Sequence, residues 1–305
     1  MKFPQAPVLL LSVWCLLAGC KQAAAPVDPA LALEEAWQYF RTSEFSLATT
    51  NFKNAVDSSS SSDPLHPQAL FGLATTAELQ RPDPKPALAK TLYEKITREH
   101  GASEYAQWSA LALARMKAQP DYNVEPEPAT ALAAFQTVND RFPGTLVGDE
   151  TLMRQQMTRL VTDDKKQLHS IIDTLTDFNK KRPGSLFAPT SWWIIASAAL
   201  ALDDSRLARD SFQQCYDAAI HQKTSVMRGE VAIDEITTLY TIASLSEFKL
   251  GDFDTARKCY SQIIIDGPRD WRTFTARQAI ERMDRIEAGG SPDVPGISTR
   301  LVEKP

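Results

Sequence analysis

The chain is poor in the residues on which most catalytic and metal-binding motifs depend. Its 305 residues include only four cysteines, four histidines and 12 glycines. The spacings typical of a serine-hydrolase elbow, a zinc-protease helix, a phosphate-binding loop and a two-cysteine redox site are all missing. The histidines are His66, His100, His169 and His221, and none has a second histidine or a carboxylate at ligand spacing on one helix face. We therefore expect surface or helix-capping roles for them, and the sequence predicts no catalytic residue, no metal site and no other cofactor.

Strong basic charge and long apolar segments are missing as well. The formal net charge is −5, which argues against a general nucleic-acid binder. No stretch approaches the roughly 20 apolar residues of a transmembrane helix. Of the four cysteines, only Cys215 and Cys259 lie far from the N-terminus, and two cysteines do not make a disulfide framework. Whether they pair stays open, the alternative being two small buried side chains.

The first twenty residues have the form of an export signal that ends in a lipid-attachment cysteine. Lys2 provides a basic start, residues 8–17 are apolar apart from one serine, and a Leu-Ala-Gly-Cys sequence ends at Cys20. Such a short run is typical of a signal peptide. The Leu-Ala-Gly-Cys ending resembles the lipobox of bacterial lipoproteins, which implies acylation of Cys20 and removal of residues 1–19. By the same resemblance, Lys21 favours the outer membrane. The alternative is an ordinary leader with a chance cysteine.

A pattern of small and large apolar residues recurs about every forty residues in the rest of the chain. In its clearest copy, Ala256, Tyr260 and Ile263 lie on one face of a helix because they are four and three residues apart. The small residue lets a neighbouring helix approach, and the larger one fills the space beside it. The other copies are Phe45, Ala48, Phe52 and Ala55; Ala89, Tyr93 and Ile96; Ala131, Phe135 and Val138; Ile171, Leu175 and Phe178; and Ala208, Phe212 and Cys215. This period predicts a helical solenoid.

A second helix precedes each of these striped helices, so the elements form pairs. The preceding helices are predicted at residues 31–42, 68–80, 103–118, 149–161, 190–202 and 233–250. A last helix, over residues 270–288, carries Trp271, Phe274, Ala279 and Met283 on its apolar side. We expect it to cap the final pair, because the end of a solenoid needs one solvated face.

The paired pattern resembles the tetratricopeptide repeat (TPR). That family has an aromatic and a small residue in its first helix, a glycine turn, and a small-aromatic-small stripe in its second helix. Trp192 with Ala196, and Tyr240 with Ser244, match the first helix, and Gly251 matches the turn. The units here are longer than those of the family, and the additional residues fall in proline-rich and serine-rich loops.

The resemblance covers about residues 30–288 and implies an all-α fold, a right-handed α-solenoid of about six TPR-like helix pairs plus a C-terminal capping helix. Residues 1–19 are then the lipoprotein signal peptide, residues 20–29 are the acylated cysteine and its tether, and residues 289–305 are a disordered tail. The Arg-Phe-Pro-Gly-Thr sequence at residues 141–145 is also similar to the repeats of outer-membrane assembly lipoproteins of the BamD type.

The TPR resemblance implies a binding surface. In that fold the first helices line a concave face, where exposed apolar residues would anchor a partner. The candidates for partner binding are Trp37, Phe40, Leu113, Met116, Trp193, Leu200, Leu245 and Phe248. The alternative is that the longer units bury these residues in the core.

We therefore expect a non-catalytic, lipid-anchored protein–protein interaction scaffold. It would face the periplasm from the outer membrane and bind one or more proteins there, without binding nucleic acid. The resemblance to BamD-type lipoproteins implies a role in outer-membrane protein assembly. Two alternatives stay open, which are coordination of cell-envelope or peptidoglycan complexes, and glycan binding as in SusD-type lipoproteins.

Acylation of Cys20 can be tested by labelling. Buried acyl chains contribute about 0.8 kcal/mol per CH₂, so two or more chains anchor a protein stably. We expect the wild-type chain to incorporate radioactive palmitate in a Gram-negative host and Cys20→Ala to incorporate none, as measured by autoradiography of the purified chain. Cys15→Ala, a change within the apolar run, is the control and should label like wild type. Label on Cys20→Ala would exclude Cys20 as the anchor.

Overall fold

The computed structural model describes residues 27–119, 127–221 and 234–290. Cys20, with the predicted signal peptide and most of the tether and tail, lies outside these residues. Within them every regular element is a helix, and no helix is long and apolar enough to cross a membrane. The helices are α1 Pro29–Arg41, α2 Phe45–Ser58, α3 Leu65–Leu79, α4 Pro86–Glu99, α5 Glu104–Ala118, α6 Pro128–Arg141, α7 Leu146–Leu160, α8 Lys165–Lys181, α9 Ala188–Ala201, α10 Ser205–His221, α11 Glu235–Leu245, α12 Phe253–Asp266 and α13 Trp271–Glu287.

The chain divides into two compact units, Met1–Ser109 and Ala110–Pro305, and the boundary falls within α5. In the first unit α1 packs on α2, α2 on α3 and α3 on α4. In the second unit the same holds from α6 to α13. The first helices of neighbouring pairs also touch, α1 with α3, α7 with α9, and α11 with α13. This is the packing of a repeat of helix pairs, and the predicted all-α solenoid of helix pairs with a final helix is confirmed.

The predicted stripes form the core. In α2, Ala48, Phe52 and Ala55 are fully buried against α1 and α3. The corresponding side chains of α4, α6, α8, α10 and α12 are also buried. At Gly72 of α3 the ring of Phe52 on α2 lies so near that a Cβ atom would be 2.1 Å from its Cε1. Glycine is therefore needed at this crossing because Phe52 occupies the space of a side chain.

The turn between α11 and α12 differs in one respect from the prediction. The predicted helix over residues 233–250 ends as a π-helical turn, Ser246–Leu250. Gly251 follows with a φ of +65°, a left-handed conformation that glycine adopts at low cost. Asp252 then caps α12 by accepting a hydrogen bond from the backbone N–H of Thr255 at 3.1 Å. The predicted glycine turn is confirmed.

The final helix, α13, buries only part of the face that was expected to be apolar. Thr273, Ala276, Ala279 and Met283 are buried, and the last three belong to the same core cluster as α12. Two aromatic side chains expected on the apolar side of this helix, Trp271 and Phe274, are instead 70% and 66% exposed. The small side chains explain the difference, because they allow α13 to approach α12 closely and so turn the bulkier residues outwards.

The crossing at Gly72 predicts a destabilised variant. A methyl group at Gly72→Ala would overpack against Phe52, which costs roughly 1–3 kcal/mol and outweighs the gain in helix propensity of about 1 kcal/mol. We expect a lower free energy of unfolding, measured by urea denaturation. Phe52→Leu frees space at the same crossing, so Gly72→Ala should cost less when it is added to Phe52→Leu. An equal cost in both backgrounds would contradict the assigned contact.

Candidate partner-binding surface

Helices α11 and α13 lie side by side and run in the same direction. At their N-terminal ends, Arg272 of α13 forms an ion pair at 3.1 Å with Asp234, the N-cap residue of α11. At the other end, Nε of Arg282 donates to Oε1 of Glu247 at 2.7 Å, and Glu247 lies in the π-helical turn after α11. These two contacts fix the position of α13 relative to α11 along its length.

Aromatic side chains line this helix pair, and all but the half-buried Tyr240 are exposed. The rings of Tyr240 on α11 and Trp271 on α13 have centroids 6.3 Å apart. Phe274 lies three residues after Trp271, so the two side chains are neighbours on the surface of α13. Arg282 in turn lies over the ring of Phe248, 5.0 Å from its centroid, and Phe248 is 65% exposed. We call Tyr240, Phe248, Trp271 and Phe274 the C-terminal aromatic surface.

A buried carboxylate supports one end of this surface. The side chain of Glu247 is only 2% exposed, so its charge must be paired inside the protein. Arg282 supplies the positive charge, and the hydroxyl of Tyr260 donates a hydrogen bond to Oε2 at 3.0 Å. Burial raises the pKa of Tyr260, as does the neighbouring carboxylate, so the phenol keeps its proton as a donor. The same arginine therefore neutralises Glu247 and packs on Phe248.

A second arginine supports the other end. Arg272 donates to both Asp234 and Asp270, the latter at 2.7 Å. The hydrogen bonds that Asp270 accepts from the side chain and the backbone N–H of Arg272 lower the pKa of Asp270 to about 2. The guanidinium of Arg272 also lies 5.8 Å from the ring centroid of Trp271, a distance typical of cation–π contact. The backbone around Trp271 is thus held by charged groups while its ring faces solvent.

The predicted partner-binding residues of the first helix belong to the core of the first unit. Trp37 and Phe40 are half-buried, with ring centroids 5.6 Å apart in an edge-on arrangement. Trp37 also packs edge-on against the buried ring of Phe52 at 4.9 Å. Leu113 and Met116 on α5 are half-buried as well.

The other four candidates differ in exposure. Trp193 is half-buried and packs against two core clusters, and Leu245 is buried in one of them. Leu200 is partly exposed at the end of α9, and Phe248 belongs to the C-terminal aromatic surface. Of the eight candidates, Leu200 and Phe248 therefore present the most surface to a partner, and binding at each of the eight stays a prediction.

Sequence reasoning missed the exposure of Trp271 and Phe274. Both were expected to cap the last helix pair because they are apolar and share a helix face with buried residues. Ala276 and Ala279 could have predicted that these two aromatic side chains are exposed. Small residues mark the helix face on which a neighbouring helix approaches closely, and the two alanines therefore identify the buried face.

The polar cleft between α10, α11 and α12 offers no convergent reactive group. It has a volume of ≈ 480 Å³, and its charged lining includes Arg209, which pairs with Asp210 at 2.7 Å and with Asp252 at 2.8 Å.

Burial raises the pKa of Cys259, in the wall of this cleft, to about 11 and that of Cys215 to about 12. Both are free thiols, too weakly acidic to act as nucleophiles at neutral pH. Among the described residues no group of three or more His, Cys, Asp or Glu side chains could hold a metal ion.

No model of a known protein family matches the chain, and no curated protein matches it either. Among solved structures, the chain is similar to the assembly chaperone of RpL4 (Acl4), with 12% sequence identity and a TM-score of 0.47 over 86% of this chain and 99% of that one. It is also similar to the TPR domain of P58(IPK), with 16% identity and a TM-score of 0.32 over 86% of this chain and 67% of that one. At these scores neither likeness carries an argument about what this chain binds.

The Glu247–Arg282 pair predicts a strong effect of one arginine. Arg282→Ala would leave Glu247 buried without its cation, which costs about 3–5 kcal/mol for fully buried pairs. We expect a loss near the lower end of that range in urea denaturation, because Arg282 is partly exposed. Arg277→Ala is the matched control, since Arg277 is exposed on the same helix and makes no ion pair within the described part of the chain. Equal losses for the two variants would show that Glu247 does not depend on Arg282.

Proposed function

We propose that this chain is a non-catalytic, lipid-anchored scaffold that binds a partner protein through the C-terminal aromatic surface. The observation that carries the proposal is the exposure of Phe248, Trp271 and Phe274 on two helices that charged contacts hold together. Soluble proteins seldom place several large aromatic rings on one exposed face unless the face is used for binding.

A protein partner suits this surface because of how its residues are held. Aromatic and arginine side chains dominate the binding energy of protein interfaces when they are pre-organised. Arg272 and Arg282 are fixed by Asp234, Asp270 and Glu247, so little conformational entropy is lost when a partner packs on the neighbouring rings. An apolar helix face of the partner, laid along the groove of α11 and α13, would match this arrangement.

The proposed site of action follows from the N-terminus. Acylation of Cys20 would tie the repeat to the membrane, and Lys21 favours the outer membrane by resemblance to lipoprotein sorting signals. Together with the resemblance of residues 141–145 to BamD-type repeats, this supports a role in outer-membrane protein assembly, with the repeat domain in the periplasm.

Affinity purification from detergent-solubilised membranes tests the proposal. We expect the wild-type chain to recover components of the outer-membrane barrel-assembly machinery. The double variant Phe248→Ala/Phe274→Ala should recover at least tenfold less, since truncating two interface anchors costs about 2 kcal/mol or more at each. Ile265→Ala is the matched control, because Ile265 is 69% exposed on α12 and lies outside the aromatic surface.

The other outcomes separate the alternatives. Recovery of peptidoglycan-associated complexes instead of assembly proteins would favour a coordinator of the cell envelope. Binding to a glycan array without any protein partner would favour a SusD-like role and reject the scaffold. Equal recovery by the double variant and by Ile265→Ala would reject the C-terminal aromatic surface as the contact.

A further inference from the structure

Two histidines that are distant in the sequence meet in the first unit. His66 was expected at the surface or as a helix cap, but it lies in the first turn of α3 and is only 8% exposed. His100 is the C-cap residue of α4. The centroids of the two imidazole rings are 5.5 Å apart, and their planes are inclined by 48°. The helix pair thus brings together two potential metal ligands that sequence spacing on a single helix does not reveal.

Ser59 lies beside Nδ1 of His66. Its hydroxyl is 2.6 Å from the carbonyl oxygen of Ala55 and 3.1 Å from Nδ1 of His66. When the hydroxyl donates its single hydrogen to the nearer carbonyl, its oxygen accepts from a protonated Nδ1. In that tautomer Nε2 of His66 keeps its lone pair. Histidines that bind metals commonly have their second nitrogen fixed in this way.

His100 contributes an unpartnered nitrogen. Its Nε2 is buried and has no hydrogen-bond partner, which is unusual for a buried polar atom and calls for an explanation. Burial lowers the pKa of His100, and the adjacent His66 lowers it further. The ring is therefore neutral at neutral pH, and a neutral imidazole is the form that binds metals.

We propose that His66 and His100 together bind one transition-metal cation of the zinc class. Imidazole nitrogens suit Zn²⁺, Cu²⁺ and Ni²⁺ rather than Mg²⁺ or Ca²⁺. Two imidazoles that share a tetrahedral ion at about 2.0–2.1 Å have ring centroids roughly 5 Å apart, so the observed spacing needs little adjustment. Water would complete the coordination, and two protein ligands give weaker binding than the three or four of dedicated zinc sites. This site was not expected from the sequence and is independent of the proposed scaffold function.

Bound metal would connect two elements of the helix pair. His66 belongs to the start of α3, and His100 ends α4. A cation that binds both in the folded state and neither in the unfolded chain raises the free energy of unfolding in proportion to the logarithm of its concentration. The site would therefore stabilise the junction of this helix pair when the cation is available.

Calorimetric titration of the full chain, purified in detergent at neutral pH, with zinc chloride tests the site. His66→Asn keeps an N–H donor near the position of Nδ1, so the contact with Ser59 can persist, but it removes Nε2. His100→Asn removes the second ligand. We expect one ion per wild-type chain and at least tenfold weaker binding for each variant. His169→Asn, a change to an exposed histidine on α8, is the matched control and should bind like wild type.

Three further measurements keep the test decisive if a variant folds poorly. Circular dichroism reports folding, and His100→Cys should restore zinc binding because a cysteine thiolate is also a zinc ligand. Magnesium chloride should give no saturable signal with the wild-type chain. The proposal is overturned if wild type binds no zinc, or if folded His66→Asn and His100→Asn bind it as tightly as His169→Asn does.

Discussion

The structure depends on the close approach of neighbouring helices at small side chains. At Gly72 the backbone of α3 passes so near α2 that the ring of Phe52 fills the space of a side chain. Alanines such as Ala48 and Ala256 have the same role in other helices, and each has a large apolar residue four positions on. Fully burying such a residue stabilises a fold by roughly 1.5–3 kcal/mol. Because each helix needs a neighbour to bury its stripe, the repeat is stable only as an array.

Close helix packing also encloses charge. Asp149 on α7 is buried and pairs with Arg182 at 2.7 Å, while Ser185 donates to its other oxygen at 2.8 Å. Burial raises the pKa of Asp149, although both partners oppose the shift. Glu247 has an equivalent environment, with an arginine and a hydroxyl as partners. Arg182 is the C-cap residue of α8, so the first ion pair joins the two helices of one pair. Arg282 lies on α13, so the second ion pair joins the pair of α11 and α12 to the final helix.

The core could be predicted from the sequence because it follows local periodicity. The stripes at Ala89 and Ala208, the glycine turn at Gly251 and the number of helix pairs all depend on residues a few positions apart. The aromatic surface and the histidine pair could not be predicted in this way. Which side of α13 is covered depends on α12, and the contact between His66 and His100 depends on how α3 and α4 pack. Predicting such features requires knowledge of how whole helices pack on one another, and the spacing of residues along the sequence does not give that.

Under the proposed function, the lipid anchor brings the chain close to its partner and the C-terminal aromatic surface makes the contact. A tether that confines the repeat to the membrane raises its effective concentration near membrane-bound partners, so the contact itself need not be tight. Three exposed aromatic rings are few for a protein–protein interface of standard size, which buries about 800 Å² per partner. The affinity then depends more on the pre-organisation of these side chains than on the buried area. Arg272 and Arg282 supply it, because each fixes one end of α13 and packs on a ring that faces solvent. The carboxylates of Asp234, Asp270 and Glu247 are thus connected to binding, because they fix the two arginines beside the exposed rings.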